Sequence, residues 1–372
     1  MGSGHQIIPP LRTDQFDFHL PQELIAQHPI EGPRDSSRLL VYERHTGQRK
    51  HHCFRDHLKY CRAGDLLIMN NSRVIPARLR GTKRGTGGQI EIFMLEETSP
   101  NHWLVMLKPG KRTPPGTTIE IMHPRKGVTG LSCRVESKTP SGHFQVIFEG
   151  PEPNAIENQL DELGEIPLPP YIRRSGAPSQ EDADRYQTVY ADQGGSVAAP
   201  TAGLHYTPNL LEAVRSSGVQ IGWVTLHVGL GTFNPIKTEL ASEHRMHEER
   251  FSVPQETLSA IKQTRERGGR VIAVGTTSLR VLESIPSDVL SKTMHCPYQA
   301  RTSIFIYPPH DFRLTDALIT NFHLPQSSLM MLVSAFTSPG SLDGLNIVKD
   351  LYQGAIAERY RFFSFGDAMM IL

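Results

Sequence analysis

Between Ser72 and Gly150 the chain carries five short runs of alternating apolar and polar residues, QIEIFML, HWLVMLK, TTIEIM, LSCRVES and HFQVIFE, punctuated by GTGG, KPGKRTPPG and TPSGH. Successive side chains of a strand point to opposite faces, so each run can bury one face only. Several short half-buried strands at regular spacing, broken by Gly and Pro, form a small antiparallel barrel or sandwich. This block constrains the fold more than any other feature, because the sequence on both sides of it has a different texture.

Before the block, SRLLVYERHTGQRKHHCF predicts a hairpin turning at His45-Thr46-Gly47, and GDLLIMNNSRVIPARLRG predicts two strands around a polar turn. After it, the Pro-rich IPLPPYIRR (Ile166 to Arg174) reads as a linker. Helical and strand patterns then alternate: PNLLEAVRSSGV, VQIGWVTLHVG, ETLSAIKQTRERGG, RVIAVG, TTSLRVLES, LTDALITNF, SSLMMLVSAF and VKDLYQGAIAERY. Such alternation predicts an α/β domain. The expected organisation is therefore an α/β domain of residues 1–71 plus 161–372, interrupted by an all-β domain of residues 72–160.

Charge excludes some functions. Thirty-nine basic against 38 acidic residues give a formal net charge of +1, which argues against a tail-driven polycation and leaves room for a local basic face. Between Ser72 and Arg112 stand Arg73, Arg78, Arg80, Lys83, Arg84, Lys108, Lys111 and Arg112, opposed only by Glu91, Glu96 and Glu97. That excess can track a phosphate backbone or be solvated surface. The four cysteines, Cys53, Cys61, Cys133 and Cys296, form no C-x-x-C pair and are expected as free thiols. No run of about 18 apolar residues predicts a membrane helix, and MGSGHQIIPPLR lacks the order of a signal peptide. A cytoplasmic protein is expected.

Candidate chemistry concentrates from Gly194 to Pro235 and in two later segments. Gly, Thr, Ser and His gather in GGSVAAPTAGLHYTP and VTLHVGLGTFNP, a composition suited to the wall of a site. His227 falls near the end of a predicted strand, where open α/β sheets carry functional groups; Gly229-x-Gly231 lacks the third glycine of a dinucleotide fingerprint. Val271 to Val274 run into Gly275, followed by Thr276, Thr277 and Ser278 at a predicted helix start. Their hydroxyls either cap the helix or line an anion site at its free N–H groups. HRMHEERF holds His244, His247, Glu248 and Glu249, a carboxylate–imidazole pairing suited to proton transfer but short of the ligands zinc needs. In DALITNFHLPQSS, the polar Asn321, His323 and Ser327 interrupt apolar sequence, as site groups or as a hydrogen-bonded turn.

The stretches PRDSSRLLV, GDLLIMNNSRVIPARL, TGGQIEI, KPGKR, IPLPPYI, RYQTVYA, SVAAPTAGLHYTP, VTLHVGLGTF, MHEE, VIAVGTTSLRVLES, DALITNFHLPQSSLMMLVSAF and YRFFSFGDAMMIL follow one another from about Phe16 to Leu372. In this order and spacing they resemble the S-adenosylmethionine:tRNA ribosyltransferase-isomerase family of queuosine biosynthesis. The resemblance implies a larger α/β barrel-like domain with an inserted antiparallel β-barrel. It also implies the reaction. The ribosyl moiety of S-adenosylmethionine is transferred to 7-aminomethyl-7-deazaguanine at the tRNA wobble position and isomerised, giving epoxyqueuosine with release of adenine and methionine. S-adenosylmethionine is then a consumed substrate; no true cofactor and no metal are expected, nor any membrane contact, and a monomer is expected. Under this resemblance His205, His227, His247 and His323 line the pocket as proton carriers, with Glu248 or Glu249 shaping their pKa, and which imidazole is acid and which is base stays open. Thr276, Thr277 and Ser278 bind the methionine carboxylate, Gly229 and Gly231 admit the adenosine, and Thr201, Thr232, Arg280 and Asn321 complete the substrate contacts. Arg78, Arg80, Lys108 and Lys111 are expected on the tRNA. Two other classes compete: a non-catalytic module that holds modified tRNA, and a metal-dependent hydrolase built on His244 and His247.

Overall fold

The computed structural model describes residues 10–124, 126–151, 155–175, 179–229, 236–292 and 296–372. Its centre is four parallel strands, Gln220–Leu226, Leu66–Asn70, Val271–Val274 and Ala317–Asn321, adjacent in that order. The last three are buried at every position. Continuous apolar runs such as LLIMN and VIAV are what a sheet covered on both faces requires. Alternation divides them between two cores. Leu66, Ile68, Val271, Ala273 and Leu318 face one, Leu67, Met69, Ile272, Val274 and Ile319 the other.

The first core is closed by Leu258 and Ile261 of helix Gln255–Glu266, Leu279 and Leu282 of Thr276–Ser284, Met330 to Phe336 of Ser328–Thr337 and Val348 of Gly344–Ala357. The second is closed by Leu210, Leu211 and Val214 of helix Pro208–Ser216 and by Phe54. Each such side chain contributes about 1.5–3 kcal/mol on burial, so the two cores together fix the strands and hence the turns at their ends.

Five further strands complete a nine-stranded mixed sheet in the order Tyr298–Thr302, Glu249–Val253, the four central strands, Ala368–Ile371, Arg38–Glu43 and Gln48–Cys53. The predicted hairpin is Arg38–Glu43 with Gln48–Cys53. The strand Ala368–Ile371 lies between Ala317–Asn321 and Arg38–Glu43, antiparallel to one and parallel to the other.

The inserted block closes on itself. Six antiparallel strands, Phe144–Glu149, His102–Lys108, Gln89–Ser99, Arg78–Lys83, Thr118–His123 and Gly127–Lys138, form a closed barrel in that order. Its interior is Ile90, Ile92, Met94, Val105, Ile119, Ile121, Val135 and Val146, the apolar halves of the alternating runs. Helix Ala155–Leu163 adds Ile156, Leu160 and Leu163 to that core. The short strand Ser72–Val74 stays outside the barrel and pairs with Gln193–Ser196. Barrel and large sheet meet where Glu96 pairs with Arg250 at 3.5 Å and Arg301 at 3.2 Å, part-exposed contacts that orient more than they stabilise.

The stretch IPLPPYIRR is more than a linker. Ile172 is buried with Tyr186, Ala199, Leu204 and Phe365, and Tyr171 packs beside them. Among the described residues, no helix is long and apolar enough to cross a membrane.

Candidate active site

The four parallel strands end on the same side, and a cavity of about 260 Å³ opens there. Open α/β sheets offer ligand sites at this position because the turns leaving adjacent strands diverge. Its wall combines the turn after Val271–Val274 (Gly275 to Thr277), the turn after Ala317–Asn321 (His323 to Ser327) and the segment Ala198 to Ala202. Tyr171, Val228, Phe363 and Ser364 complete it. Among the described lining residues none is an acid, a lysine or an arginine; hydroxyls, one amide and one imidazole are the polar groups.

Gly275 is the N-cap of helix Thr276–Ser284 and has φ +90°, a conformation glycine adopts at no steric cost. No side chain caps this helix start. Of the two readings of these hydroxyls, capping is therefore not what the structure shows. Ser278 Oγ instead donates to the Val274 carbonyl at 2.8 Å. Thr276 lines the cavity, and Thr277 Oγ1 is buried without a hydrogen-bond partner among the described residues. Free backbone N–H groups and an unused hydroxyl at a helix start favour an anionic ligand group.

Asn321 organises the floor. Its Nδ2 donates to the Phe363 carbonyl and to His205 Nε2, both at 3.2 Å, while its Oδ1 accepts from the Thr201 hydroxyl at 2.9 Å. A carbonyl only accepts, so the amide orientation is fixed. His205 Nε2 is then an acceptor, and Nδ1–H donates to Ser37 Oγ at 2.7 Å. Burial, helped by the Arg34 and Arg361 charges, pushes His205 down to about 3. His205 is thus a neutral imidazole that holds Asn321, one bond behind the wall.

His323 stands in the wall itself. Its Nε2 and the Thr320 hydroxyl lie 2.8 Å apart, and its backbone N–H donates to Tyr352 Oη at 3.1 Å. Burial alone pushes it down to about 3, so it too is neutral. On the opposite side Tyr171 Oη and Ser364 Oγ are 2.5 Å apart, and burial pushes the phenol up to about 12.

The family model described as "Queuosine biosynthesis protein" matches residues 13–371. The chain belongs to the queuosine biosynthesis protein family. The S-adenosylmethionine:tRNA ribosyltransferase-isomerase of Natranaerobius thermophilus is 45% identical over 362 residues, covering 97% of this chain and 99% of that protein. The crystal structure of the S-adenosylmethionine tRNA ribosyltransferase of Thermotoga maritima is similar with TM-score 0.52 and 37% identity, covering 96% of this chain and 100% of that one.

In this queuosine biosynthesis protein, Thr201, Thr276, Thr277, Asn321 and His323 of the sequence-predicted residues meet in the cavity wall. The four imidazoles do not. His227 leaves strand Gln220–Leu226 with its ring against Gly195, where a Cβ would come within 3.1 Å, and burial beside Arg250 lowers its pKa. His247 is exposed, and its charge adds to burial in lowering His143 and His244. Neither Glu248 nor Glu249 shifts the wall imidazole. Glu248 is exposed and paired with Arg301 at 2.7 Å. Glu249 is buried against Arg280 and accepts the Gly229 N–H at 3.1 Å. That pairing takes Arg280 Nη1 and the Gly229 N–H, and neither residue lines the cavity; Arg280 Nη2 is buried without a hydrogen-bond partner among the described residues. Gly231 and Thr232 lie outside the described residues. On the barrel, Lys108 and Lys111 are exposed, Arg78 is half-buried, and Arg80 is held by Glu165 through two bonds of 2.7 and 3.1 Å.

The wall also contains Tyr171, Thr320, Phe363 and Ser364, which residue-by-residue reading passed over. Tyr171 was masked by its Pro-rich neighbours and Ser364 by flanking phenylalanines. The signal available for both was their membership in IPLPPYI and YRFFSFGDAMMIL, stretches that carry the family resemblance. Among the described residues no group of three or more His, Cys, Asp or Glu is arranged to hold a metal ion.

Proposed function

We propose that the chain is a cytoplasmic, monomeric S-adenosylmethionine:tRNA ribosyltransferase-isomerase. In this reading it moves the ribosyl unit of S-adenosylmethionine onto 7-aminomethyl-7-deazaguanine at the wobble position of tRNA, forming epoxyqueuosine and releasing adenine and methionine. The observation that carries the reading is the cavity at the ends of the four parallel strands. Most of its wall comes from SVAAPTAGLHYTP, VIAVGTTSLRVLES and DALITNFHLPQSSLMMLVSAF, the stretches that carry the family resemblance.

The wall's chemistry suits that reaction. The helix start at Thr276 and Thr277 takes the methionine carboxylate. Neutral His323 accepts the proton from the carbon beside the sulfonium, and a carboxylate bound nearby raises its basicity. Asn321, with its amide oriented by Phe363 and His205, holds Thr201 in place for a ribose or base edge. Ala198, Ala199, Ala202, Val228 and Leu324 exclude water from a reactive sulfur ylide. Residues 72–160 meet the tRNA through Arg78, Lys108 and Lys111, while residues 1–71 with 161–372 carry the chemistry.

Incubation with S-adenosylmethionine and tRNA bearing the precursor base tests the proposal. Nucleoside mass spectrometry should detect epoxyqueuosine, with adenine released in equal amount. Adenine release without the product nucleoside, or neither, would overturn it.

A further inference from the structure

A second recess adjoins the cavity and shares Ser364 with it. It is a notch of about 20 Å³, room for one oxygen-sized atom, with Arg34, Arg185, Ser37 and His205 among its walls. It opens past Arg185 into a broader depression of about 670 Å³ along Pro29 and Ile30. The acids of this region, Glu31, Glu181 and Asp182, line the outer depression and not the notch, and Asp182 is held by Arg174 at 2.6 Å.

The notch arginines have charge to spare. Arg34 donates to the Gln187 and Asp184 carbonyls, each at 2.6 Å, and Arg185 donates to the Ile30 carbonyl at 2.8 Å. Arg361, whose charge reaches His205, donates to the His28 carbonyl. These partners are neutral, and among the described residues no carboxylate forms an ion pair with any of the three. The nearest acids are committed. Asp367 accepts the backbone N–H groups of Arg38 and Arg361, at 2.9 and 2.8 Å, and Asp184 accepts from Gln180. Burial lowers the Arg34 pKa, and the Arg185 charge adds to it against a smaller opposing pull from Asp184. Half-buried guanidiniums that repel one another around an oxygen-sized opening lack an anion.

We propose that Arg34 and Arg185 form a subsite for a backbone phosphate of the RNA strand whose base enters the main cavity. The inference rests on the function proposed above. The shared Ser364 wall is the argument for RNA: a strand leaving the cavity there meets the notch next, and guanidinium forks match phosphate oxygens. The methionine carboxylate has its own place at the helix start, so the notch is left to the second substrate.

The test uses the full chain, tRNA bearing the precursor base, and the variants Arg34→Gln, Arg185→Gln, Arg34→Lys and Arg185→Lys, each checked for folding by thermal unfolding. Binding is measured against salt, without turnover. Each Gln variant should weaken tRNA binding and lower the slope of log Kd against log salt by about 1, with KM for S-adenosylmethionine unchanged. The Lys variants should keep the slope and recover part of the affinity. Wild-type slopes in the Gln variants would overturn the subsite while leaving the proposed function intact. A raised KM for S-adenosylmethionine with unchanged tRNA binding would assign the notch to the methionine carboxylate and overturn it as well. Inorganic phosphate is the control: if it raises the thermal midpoint of wild type but not of Arg185→Gln while the tRNA slopes stay equal, the notch serves free phosphate and the proposal fails. Absence of any salt-dependent tRNA binding by wild type would overturn both readings.

Discussion

A histidine sealed from water with no acid beside it stays uncharged, and in this molecule that separates two residues of similar sequence promise. His205 spends both ring nitrogens on Ser37 and Asn321, whereas His323 commits only Nε2, to Thr320, and faces the cavity. The proton transfer proposed above therefore falls to His323. His323→Gln should lower kcat about 10²- to 10⁴-fold with little change in KM for S-adenosylmethionine, measured by adenine release at saturating tRNA. A variant with wild-type kcat would remove His323 from the chemistry. His205→Gln should act differently, by loosening Asn321.

At the scale of elements, the helix start after Gly275 matters most. A side chain there would be strained at φ +90°, although its nearest neighbours, Thr277 Oγ1 and Ala202 Cβ, stand at ordinary contact distances of 3.5 and 3.6 Å. Gly275→Ala should thus cost about 1–3 kcal/mol of stability through backbone strain alone. It should also raise KM for S-adenosylmethionine, because the N–H groups proposed to hold the methionine carboxylate shift with the turn. Chemical denaturation and steady-state kinetics read the two effects; a neutral substitution would show that the turn can relax. The strand–Gly–helix unit was legible in VIAVGTTSLRVLES because an apolar strand, a glycine and a helical period are local signals. Which hydroxyl faces the ligand was not. Ser278 and Thr277 differ only in what the fold puts next to them, the Val274 carbonyl for one and the cavity side for the other.

For the whole molecule, three buried imidazoles set an acid limit. His57 is pushed down to about 4, and His205 and His323 to about 3, all chiefly by burial. Below about pH 6.5 the unfolded chain binds protons that the native state refuses, so stability falls as pH falls from 6.5 toward 3. Near pH 5 the three together give up to ~4 kcal/mol per pH unit, opposed in part by Asp367, whose buried carboxyl has a raised pKa. Urea midpoints between pH 7 and 5 check this; a flat profile would mean that these rings gain protons without unfolding. The division into an α/β part and a closed barrel was readable because the short alternating runs between Ser72 and Gly150 give way to alternating helical and strand patterns after them. The meeting of Tyr171, Ser364 and Asn321 was not, since they are remote in the chain and only the folded α/β part brings them together.

The strand order of the large sheet has a consequence for synthesis. Among the described residues, the hairpin Arg38–Cys53 joins the remaining strands solely through Ala368–Ile371. On a translating ribosome the hairpin emerges early, and its partner comes more than 300 residues later. Until then Leu39 and Val41 have no neighbouring strand on that side, and the growing polypeptide must keep this edge from pairing with other chains.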